Sequence, residues 1–101
     1  MANTPKQLYA NTPSTTSNTV YTVPASTTTI VKDITMVNTT ATAATITISI
    51  NGKNIISGYT INPNDTVSLP CSVVIPASQA ITALQGTVNA VNLFISGVEV
   101  V

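Results

Sequence analysis

The side chains that could take part in catalysis are few and widely spaced in this sequence. General acid–base chemistry needs a tuned histidine, a pair of carboxylates, or a lysine placed to exchange a proton with the substrate. The sequence has no histidine, and Asp33, Asp65 and Glu99 lie in separate parts of the chain. The serine and threonine hydroxyls have no neighbouring base to activate them. We therefore expect no catalytic residue and predict that the protein is not an enzyme.

The acidic residues have simpler structural interpretations. Asp65 belongs to "NPND" (62–65), whose proline, asparagine and aspartate content is typical of a turn. In such a turn the aspartate side chain accepts hydrogen bonds from the local backbone. Asp33 follows Lys32 directly, and we expect the two to form an exposed pair that contributes little to stability.

Metal and thiol chemistry are also poorly supported. Cys71 is the only cysteine, so it cannot close an internal disulfide and offers no metal-ligand spacing. It lies on the apolar face of a predicted strand, where a cysteine packs as a small hydrophobic side chain. Asp65 with Asn62 and Asn64 supplies too few oxygen ligands for calcium. The sequence therefore predicts no metal site and no cofactor.

The tyrosines offer the main alternative to a purely structural role. Tyr9, Tyr21 and Tyr59, with asparagines and threonines nearby, could line a carbohydrate-binding patch. That hypothesis requires Tyr21 and Tyr59 to share an exposed groove. The competing interpretation places the rings against the core or at subunit contacts, where their apolar faces are covered.

The charge content is unusually low and limits the classes of partner. Charged residues make up 6% of the chain, compared with roughly 25% in typical globular domains. Lys6, Lys32 and Lys53 are the only cationic side chains, so no basic patch can follow a phosphate backbone, and we expect no nucleic-acid partner. A net charge of zero favours association, so we interpret the surface as one that packs against copies or neighbours.

The sequence also bears on where the chain is made. No apolar run approaches the roughly 20 residues that span a bilayer, so we expect no membrane partner. The first 17 residues, "MANTPKQLYANTPSTTS", lack the apolar region of a secretory signal. With a single cysteine, the chain needs no oxidising compartment. These features predict synthesis in a reducing cytoplasm.

The clearest local structure is a β-hairpin. In "ATITISI" (44–50), Ile46, Ile48 and Ile50 alternate with threonine and serine, which predicts a half-buried strand. Asn51-Gly52 is the favoured pair for a type I′ turn, because both residues tolerate positive φ. "KNIISGYTI" (53–61) forms the returning strand, and Gly58 marks a kink within it.

Further strands fill the rest of the chain, since β-branched residues dominate and the apolar period is two. In the strand 28–38 we place Ile30, Ile34 and Met36 on one face and Val31 and Val37 on the other, with a bulge or strand end at Lys32. Pro70 predicts an edge position for the strand 66–75, whose residues 67, 69, 71, 73 and 75 share an apolar face. The remaining predicted strands are 19–25, 79–85 and 87–101.

Together these patterns predict an all-β protein. The fold class is a single antiparallel β-sandwich, Ig-like or jelly-roll-like, of about seven to eight short strands. Residues 18–101 form the sandwich domain. Residues 1–17, which are rich in proline, threonine, serine and asparagine, form an extended N-terminal arm with too little apolar area to fold alone.

Several segments resemble small structural proteins of tailed bacteriophages. The stretch "LYANTPSTTSNTVYTVPASTTTIVKDITMVNTTATAATITISING" is similar to their pattern of an N-terminal arm, a "YTVPA" strand, a strand ending in asparagine and a "TITISI" hairpin. "INPNDTVSLPCSVVIPASQAITA" and the closing "NLFISGVEV" also look like that pattern. The resemblance covers nearly the whole chain and is one of composition and strand order.

The resemblance implies a β-sandwich that decorates or joins parts of a virion, at the capsid surface, the neck or the tail. The expected function is that of a non-enzymatic virion protein, a capsid decoration or other accessory protein made in the host cytoplasm. Its expected partners are other virion proteins and copies of itself. The alternative is a host-surface or carbohydrate-binding module of a phage tail or fibre.

Overall fold

The computed structural model describes residues 3–101, and these residues form eight strands and no helix. The strands are arranged as two four-stranded antiparallel sheets, here called sheet A and sheet B. The prediction of an all-β sandwich is confirmed. The strands are β1 (Asn3–Asn11), β2 (Asn18–Thr22), β3 (Thr28–Asn38), β4 (Ala44–Ile50), β5 (Lys53–Ile61), β6 (Thr66–Ile75), β7 (Ala80–Gln85) and β8 (Val91–Val100).

The strand order identifies the architecture within the β-sandwich class. Sheet A has the order β1-β8-β3-β6 and sheet B the order β2-β7-β4-β5. The first strand pairs with the last, the second with the seventh, the third with the sixth and the fourth with the fifth, as in one long hairpin that has been rolled up. The β3–β8 and β4–β7 pairs complete the two sheets. This arrangement is a jelly roll rather than an immunoglobulin sandwich.

The core lies between the two sheets and consists almost entirely of aliphatic side chains. Strands β4, β7 and β8 contribute alternate buried residues, as the period-two pattern of the sequence predicts. The expected inward face of β4 is confirmed, because Ile46, Ile48 and Ile50 are all buried. Burial of such side chains is the main stabilising contribution, at about 1.5–3 kcal/mol for each large residue. The largest apolar members are Met36, Ile46, Ile48, Ile61, Ile75, Ile81, Leu93 and Ile95.

The β4–β5 hairpin forms as its turn residues predict. Asn51 has a φ of 52° and Gly52 a φ of 75°, which are the left-handed conformations of a type I′ turn. The expected kink at Gly58 is also present. Gly58 has a φ of 56°, and its N–H donates a hydrogen bond of 2.9 Å to Thr47 Oγ1. The pairing register shifts beside it, which is the signature of a β-bulge.

Strand β3 contains the irregularity that the sequence predicts at Lys32. Its register against both neighbouring strands shifts between Val31 and Asp33. The bulge reverses the inside–outside alternation, so Val31 is buried on the same side as Ile34 and Met36. The placement of Ile30 on the same face as Ile34 and Met36 is therefore wrong, since Ile30 faces outward and is only half-buried.

The N-terminal segment differs from the extended arm predicted for residues 1–17. Residues 3–11 form edge strand β1, which is paired with β8 from Asn3 opposite Val100 to Asn11 opposite Leu93. Leu8 enters the core, with only 7% of its surface exposed. A long backbone ladder and one aliphatic anchor thus order a segment of low apolar content. Residues 12–17 connect β1 to β2, and residues 1 and 2 of the predicted arm lie outside the described residues.

The connections are divided between the two ends of the sandwich. The segments 12–17, 39–43, 62–65 and 86–90 lie at one end, here called the loop end. The shorter turn 51–52 and the segments 23–27 and 76–79 lie at the other end. The "NPND" segment is a turn, as predicted, and Pro70 lies on β6, an edge strand of sheet A, as predicted.

The position of Leu8 allows a direct test of whether β1 belongs to the domain. Replacing Leu8 with alanine should lower the free energy of unfolding by about 2–3 kcal/mol, because the change removes buried methyl groups and leaves a cavity. Urea denaturation followed by circular dichroism measures the effect. Gln7→Ala, at an exposed position of the same strand, is the matched control and should change stability by less than about 0.5 kcal/mol. Equal stability of Leu8→Ala and the unsubstituted protein would contradict the placement of β1.

Candidate functional site

Asp65 and Asp33 each bond to nearby groups, and the structure does not bring them together. Asp65 ends the turn 62–65, where its Oδ1 accepts a hydrogen bond of 2.9 Å from the Thr66 N–H, which confirms its interpretation as a turn residue. Asp33 lies on β3, where Thr35 Oγ1 donates to its Oδ2 at 3.1 Å and Ser68 Oγ lies 3.5 Å from its Oδ1. Within residues 3–101, no group of three or more histidine, cysteine, aspartate or glutamate side chains could hold a metal ion.

Glu99 forms a polar cluster that connects the two sheets. Its carboxylate accepts hydrogen bonds from the Tyr21 hydroxyl of β2 and from Lys6 Nζ of β1, the latter at 3.3 Å. The Tyr21 hydroxyl also lies 2.9 Å from Thr29 Oγ1 on β3. The sequence gives no sign of this cluster, because its members are far apart along the chain and meet only when β1 and β3 pair with β8 and sheet B places β2 against them.

The electrostatics of this cluster favour an ionised carboxylate. The hydrogen bond from Tyr21 lowers the pKa of Glu99, and Lys6 lowers it further, while partial burial acts in the opposite direction. The pKa of the Tyr21 hydroxyl is raised, first by burial and then by the hydrogen bond to Glu99. A phenol that stays protonated and a carboxylate that stays charged form a stable donor–acceptor pair rather than a proton-transfer pair.

The tyrosines do not form a shared groove. Tyr21 lies on β2 and Tyr59 on β5, and these strands are the two opposite edges of sheet B. Tyr21 packs against the core, whereas Tyr59 has 42% of its surface exposed. Tyr9, on β1 of sheet A, also packs against the core, and burial raises the pKa of its hydroxyl. The carbohydrate-binding hypothesis required Tyr21 and Tyr59 side by side, and the structure separates them.

Cys71 behaves as a half-buried apolar side chain. It lies on the inner face of β6 among partly buried neighbours of the core, and its Sγ is 3.5 Å from the Val31 carbonyl oxygen. Burial raises the pKa of the thiol, and the charge of Asp33 adds to this effect, while Lys32 opposes it. A thiol whose pKa is raised is mostly protonated at neutral pH and is a weak nucleophile.

Asn38 is a fully buried amide that organises the loop end. Its Nδ2 donates to the carbonyl oxygens of Thr42 at 2.8 Å and Ile61 at 3.0 Å. Its Oδ1 accepts hydrogen bonds from the N–H of Thr40 at 2.9 Å and from the hydroxyl of the same residue at 2.7 Å. The side chain thus satisfies backbone groups of the segment 39–43 and of the end of β5. The sequence did not predict this role, because an asparagine at the end of a strand is typical of a loop and gives no sign of burial.

Gln85 has the same function on the other side of the loop end. Its Oε1 accepts hydrogen bonds from the N–H groups of Ala90 at 3.1 Å and Val91 at 2.8 Å. Its Nε2 donates to the carbonyl oxygen of Pro13, and its own N–H donates to the Ser14 carbonyl at 3.0 Å. The segments 12–17 and 86–90 are therefore held together by one buried side chain.

The surface of residues 3–101 consists of sheet faces, turns, and loops held by hydrogen bonds to buried side chains. No pocket was found in the part of the chain that the structure describes. No helix long and apolar enough to cross a bilayer occurs in residues 3–101. The features that stand out at this surface are therefore its polar clusters and its sheet faces.

Comparison with known proteins gives a weak structural likeness. No protein-family model and no curated protein matches the sequence. Among solved structures, the chain is similar to one described as "Crystal Structure of a Pentameric Capsid Protein Isolated from Metagenomic Phage Sequences", with 14% identity and a TM-score of 0.39. The match covers 92% of this chain and 59% of that protein, so this chain spans less than two thirds of the length of its structural match.

The Glu99 cluster predicts a specific pH dependence of stability. Because the folded-state pKa of Glu99 is lowered, its contribution is complete above the unfolded-state pKa of about 4.3 and is lost as the pH falls through the lower folded value. Glu99→Gln should be about 1–2 kcal/mol less stable at neutral pH and should lose less stability on acidification. Denaturant titrations at a series of pH values between about 5 and 3 measure both effects.

Tyr21→Phe provides the control for that experiment. It removes the main hydrogen bond to Glu99 and retains the ring, so the folded-state pKa of the carboxyl should rise towards its unfolded value and less stability should be lost on acidification. Parallel pH profiles for Glu99→Gln and the unsubstituted protein would show that the cluster does not stabilise the fold.

The buried amide of Asn38 predicts a large cost of truncation. Asn38→Ala should lower the free energy of unfolding by about 3 kcal/mol, because it removes the buried hydrogen bonds that the side chain makes to the Thr42 and Ile61 carbonyls and to the Thr40 N–H. Chemical denaturation measures the change. Asn62→Ala, at an exposed position of the same end, is the matched control and should stay within about 0.5 kcal/mol. A small effect of Asn38→Ala would mean that water replaces the side chain.

Proposed function

We propose that this protein is a non-enzymatic structural component of a tailed-phage particle, either a capsid decoration protein or another accessory protein of the virion. It is made in the host cytoplasm and is incorporated into the particle by packing against neighbouring subunits. Its contribution to the particle is passive: the sheets present fixed surfaces to neighbouring subunits, and no covalent bond is made or broken.

The jelly-roll strand order is the observation that carries the proposal. This architecture recurs in viral capsid proteins and also in lectin domains, so it is compatible with a building block and with a binding module, and the fold alone does not decide between them. The resemblance of the sequence to small structural proteins of tailed phages favours the first of these. The low charge of the chain supports the same choice, since surfaces that meet other proteins are depleted in charged residues at their centres.

The contacts of the acidic side chains agree with a passive role. Glu99 is held by Lys6 and Tyr21, Asp65 stabilises its own turn, and Asp33 accepts hydrogen bonds from strand hydroxyls. Each carboxylate thus has a structural partner and a separate location. The side chains that could have acted as general acids or bases instead fix strands and turns.

The carbohydrate-binding alternative has less support from the geometry. A lectin-type site uses exposed aromatic rings close together, and the rings of Tyr21 and Tyr59 lie at opposite edges of sheet B. Tyr59 alone is exposed, with neighbours such as Ser57 and Thr60 that are equally typical of a solvated strand. Binding of the purified protein to a glycan array would revive this alternative.

Particle fractionation tests the proposal. Lysates of cells that naturally express the chain should be separated on a density gradient, and the protein should be quantified in each fraction by mass spectrometry. We expect it to sediment with DNA-filled particles in a fixed ratio to the major capsid protein. If the ratio stays the same after repeated density-gradient separation, the protein is a virion component and not a contaminant. Recovery only in the particle-free fractions would refute the proposed function.

A further inference from the structure

We propose that the outer face of sheet A is the surface on which a second copy of this chain docks, as an isologous pair with exchanged contacts. This inference rests on the proposed function, because it names the partner and the surface for the packing proposed there. The outer face of sheet A is defined by the outward residues of β1, β8, β3 and β6. These residues include Pro5, Val98, Ile30, Val74, Phe94, Lys32 and Asp33.

The sheet edges are poor candidates for the contact, which leaves the faces. Pro5 on β1 and Pro70 on β6 each remove a backbone donor from an edge of sheet A. Strand β2 is short and its register shifts between Thr19 and Tyr21. Strand β5 is bulged at Gly58. Each edge strand therefore has a proline or a register irregularity that disfavours pairing with a further strand.

A continuous apolar row crosses the outer face of sheet A. Pro5 lies opposite Val98, Val98 opposite Ile30, and Ile30 opposite Val74, so that one residue from each strand stands side by side. Val74 is 61% exposed, and Phe94 on the same face is 38% exposed. Outward apolar residues on all four strands of one sheet form the kind of surface that a protein partner covers.

The two charges on this face make it complementary to itself. Lys32 Nζ lies 3.2 Å from Ser72 Oγ, and Asp33 accepts hydrogen bonds from hydroxyls, so neither forms an ion pair within residues 3–101. They are adjacent in the sequence and opposite in sign. A two-fold axis that passes between these two side chains would place Lys32 of one copy beside Asp33 of its partner and repeat the contact in reverse. Charges at such a position set orientation and exclude partners of the wrong charge.

The outer face of sheet B has a different character and serves as an internal reference. Across its four strands, Thr19 lies opposite Thr82, Thr82 opposite Ser49, and Ser49 opposite Asn54. The hydroxyl of Ser49 bonds to Asn54 Oδ1, so part of this row is already satisfied within the chain. A row of hydroxyls and amides is well hydrated and contrasts with the apolar row of sheet A.

Solution mass tests whether the apolar row is covered by a second copy. Sedimentation equilibrium of the purified full chain should show a monomer–dimer equilibrium. Val74→Lys should raise the dissociation constant at least tenfold, because a charge enters the apolar row. Thr19→Lys, at an exposed edge position of sheet B, is the matched control and should leave the constant within about twofold. Circular dichroism of each variant confirms that it is folded.

Exchanging the charges of Lys32 and Asp33 tests whether the partner on this face is a second copy of the chain. Lys32→Asp and Asp33→Lys should each weaken the dimer about tenfold, since each places like charges across the axis. The double variant Lys32→Asp/Asp33→Lys should recover most of the affinity, because both copies carry the exchange and the pairing is restored. A double variant as weak as either single variant, or a Val74→Lys protein that dimerises normally, would overturn the inference.

The outcome is separable from that of particle fractionation. A chain that stays monomeric at all concentrations but sediments with particles would refute the self-docking surface and leave the proposed function intact. A chain that dimerises through sheet A but never sediments with particles would refute the proposed function instead. Loss of particle binding in Val74→Lys, with no dimer in the unsubstituted protein, would assign the face to a different virion protein.

Discussion

The pairing of the first strand with the last is the constraint on which the structure depends. Once β8 lies between β1 and β3, the remaining pairs follow in sequence, and the chain closes as a rolled hairpin. The closure brings Lys6, Glu99 and Tyr21 into one cluster and places Asn3 beside Val100. It also collects four connecting segments at one end, where the buried amides satisfy their backbone groups.

Local signals in the sequence predicted the local structure well. The Asn51–Gly52 turn, the alternation of the strand before it and the irregularity at Lys32 follow from the conformational preferences of a few adjacent residues. The position of Leu8 and the contact between Tyr21 and Glu99 could not be predicted in this way. They depend on which distant strands pair and in which register, and several strands of similar composition offer alternatives that only the complete core distinguishes.

The two outer faces of the sandwich suggest a division of roles. Sheet B presents threonine, serine and asparagine across its strands, a composition that water solvates readily. Sheet A combines an apolar row with one lysine and one aspartate, so a partner can both cover it and be oriented by it. With only 6% charged residues, the protein places two of its few charges on the face that we assign to assembly. Association through a sheet face adds no strand to the sheet edges, and this limits uncontrolled growth of the sheets.

The central position of β8 has a consequence for biosynthesis. Sheet B is complete once Gln85 has left the ribosome, but sheet A lacks β8, one of its two central strands, until residues 91–100 are translated. Until β8 is translated, β1 and β3 have no strand between them, and the core residues that β8 covers stay exposed. Chains of such high contact order fold slowly and are prone to aggregation while incomplete. In this fold, the codons for β8 control when the sandwich can first close.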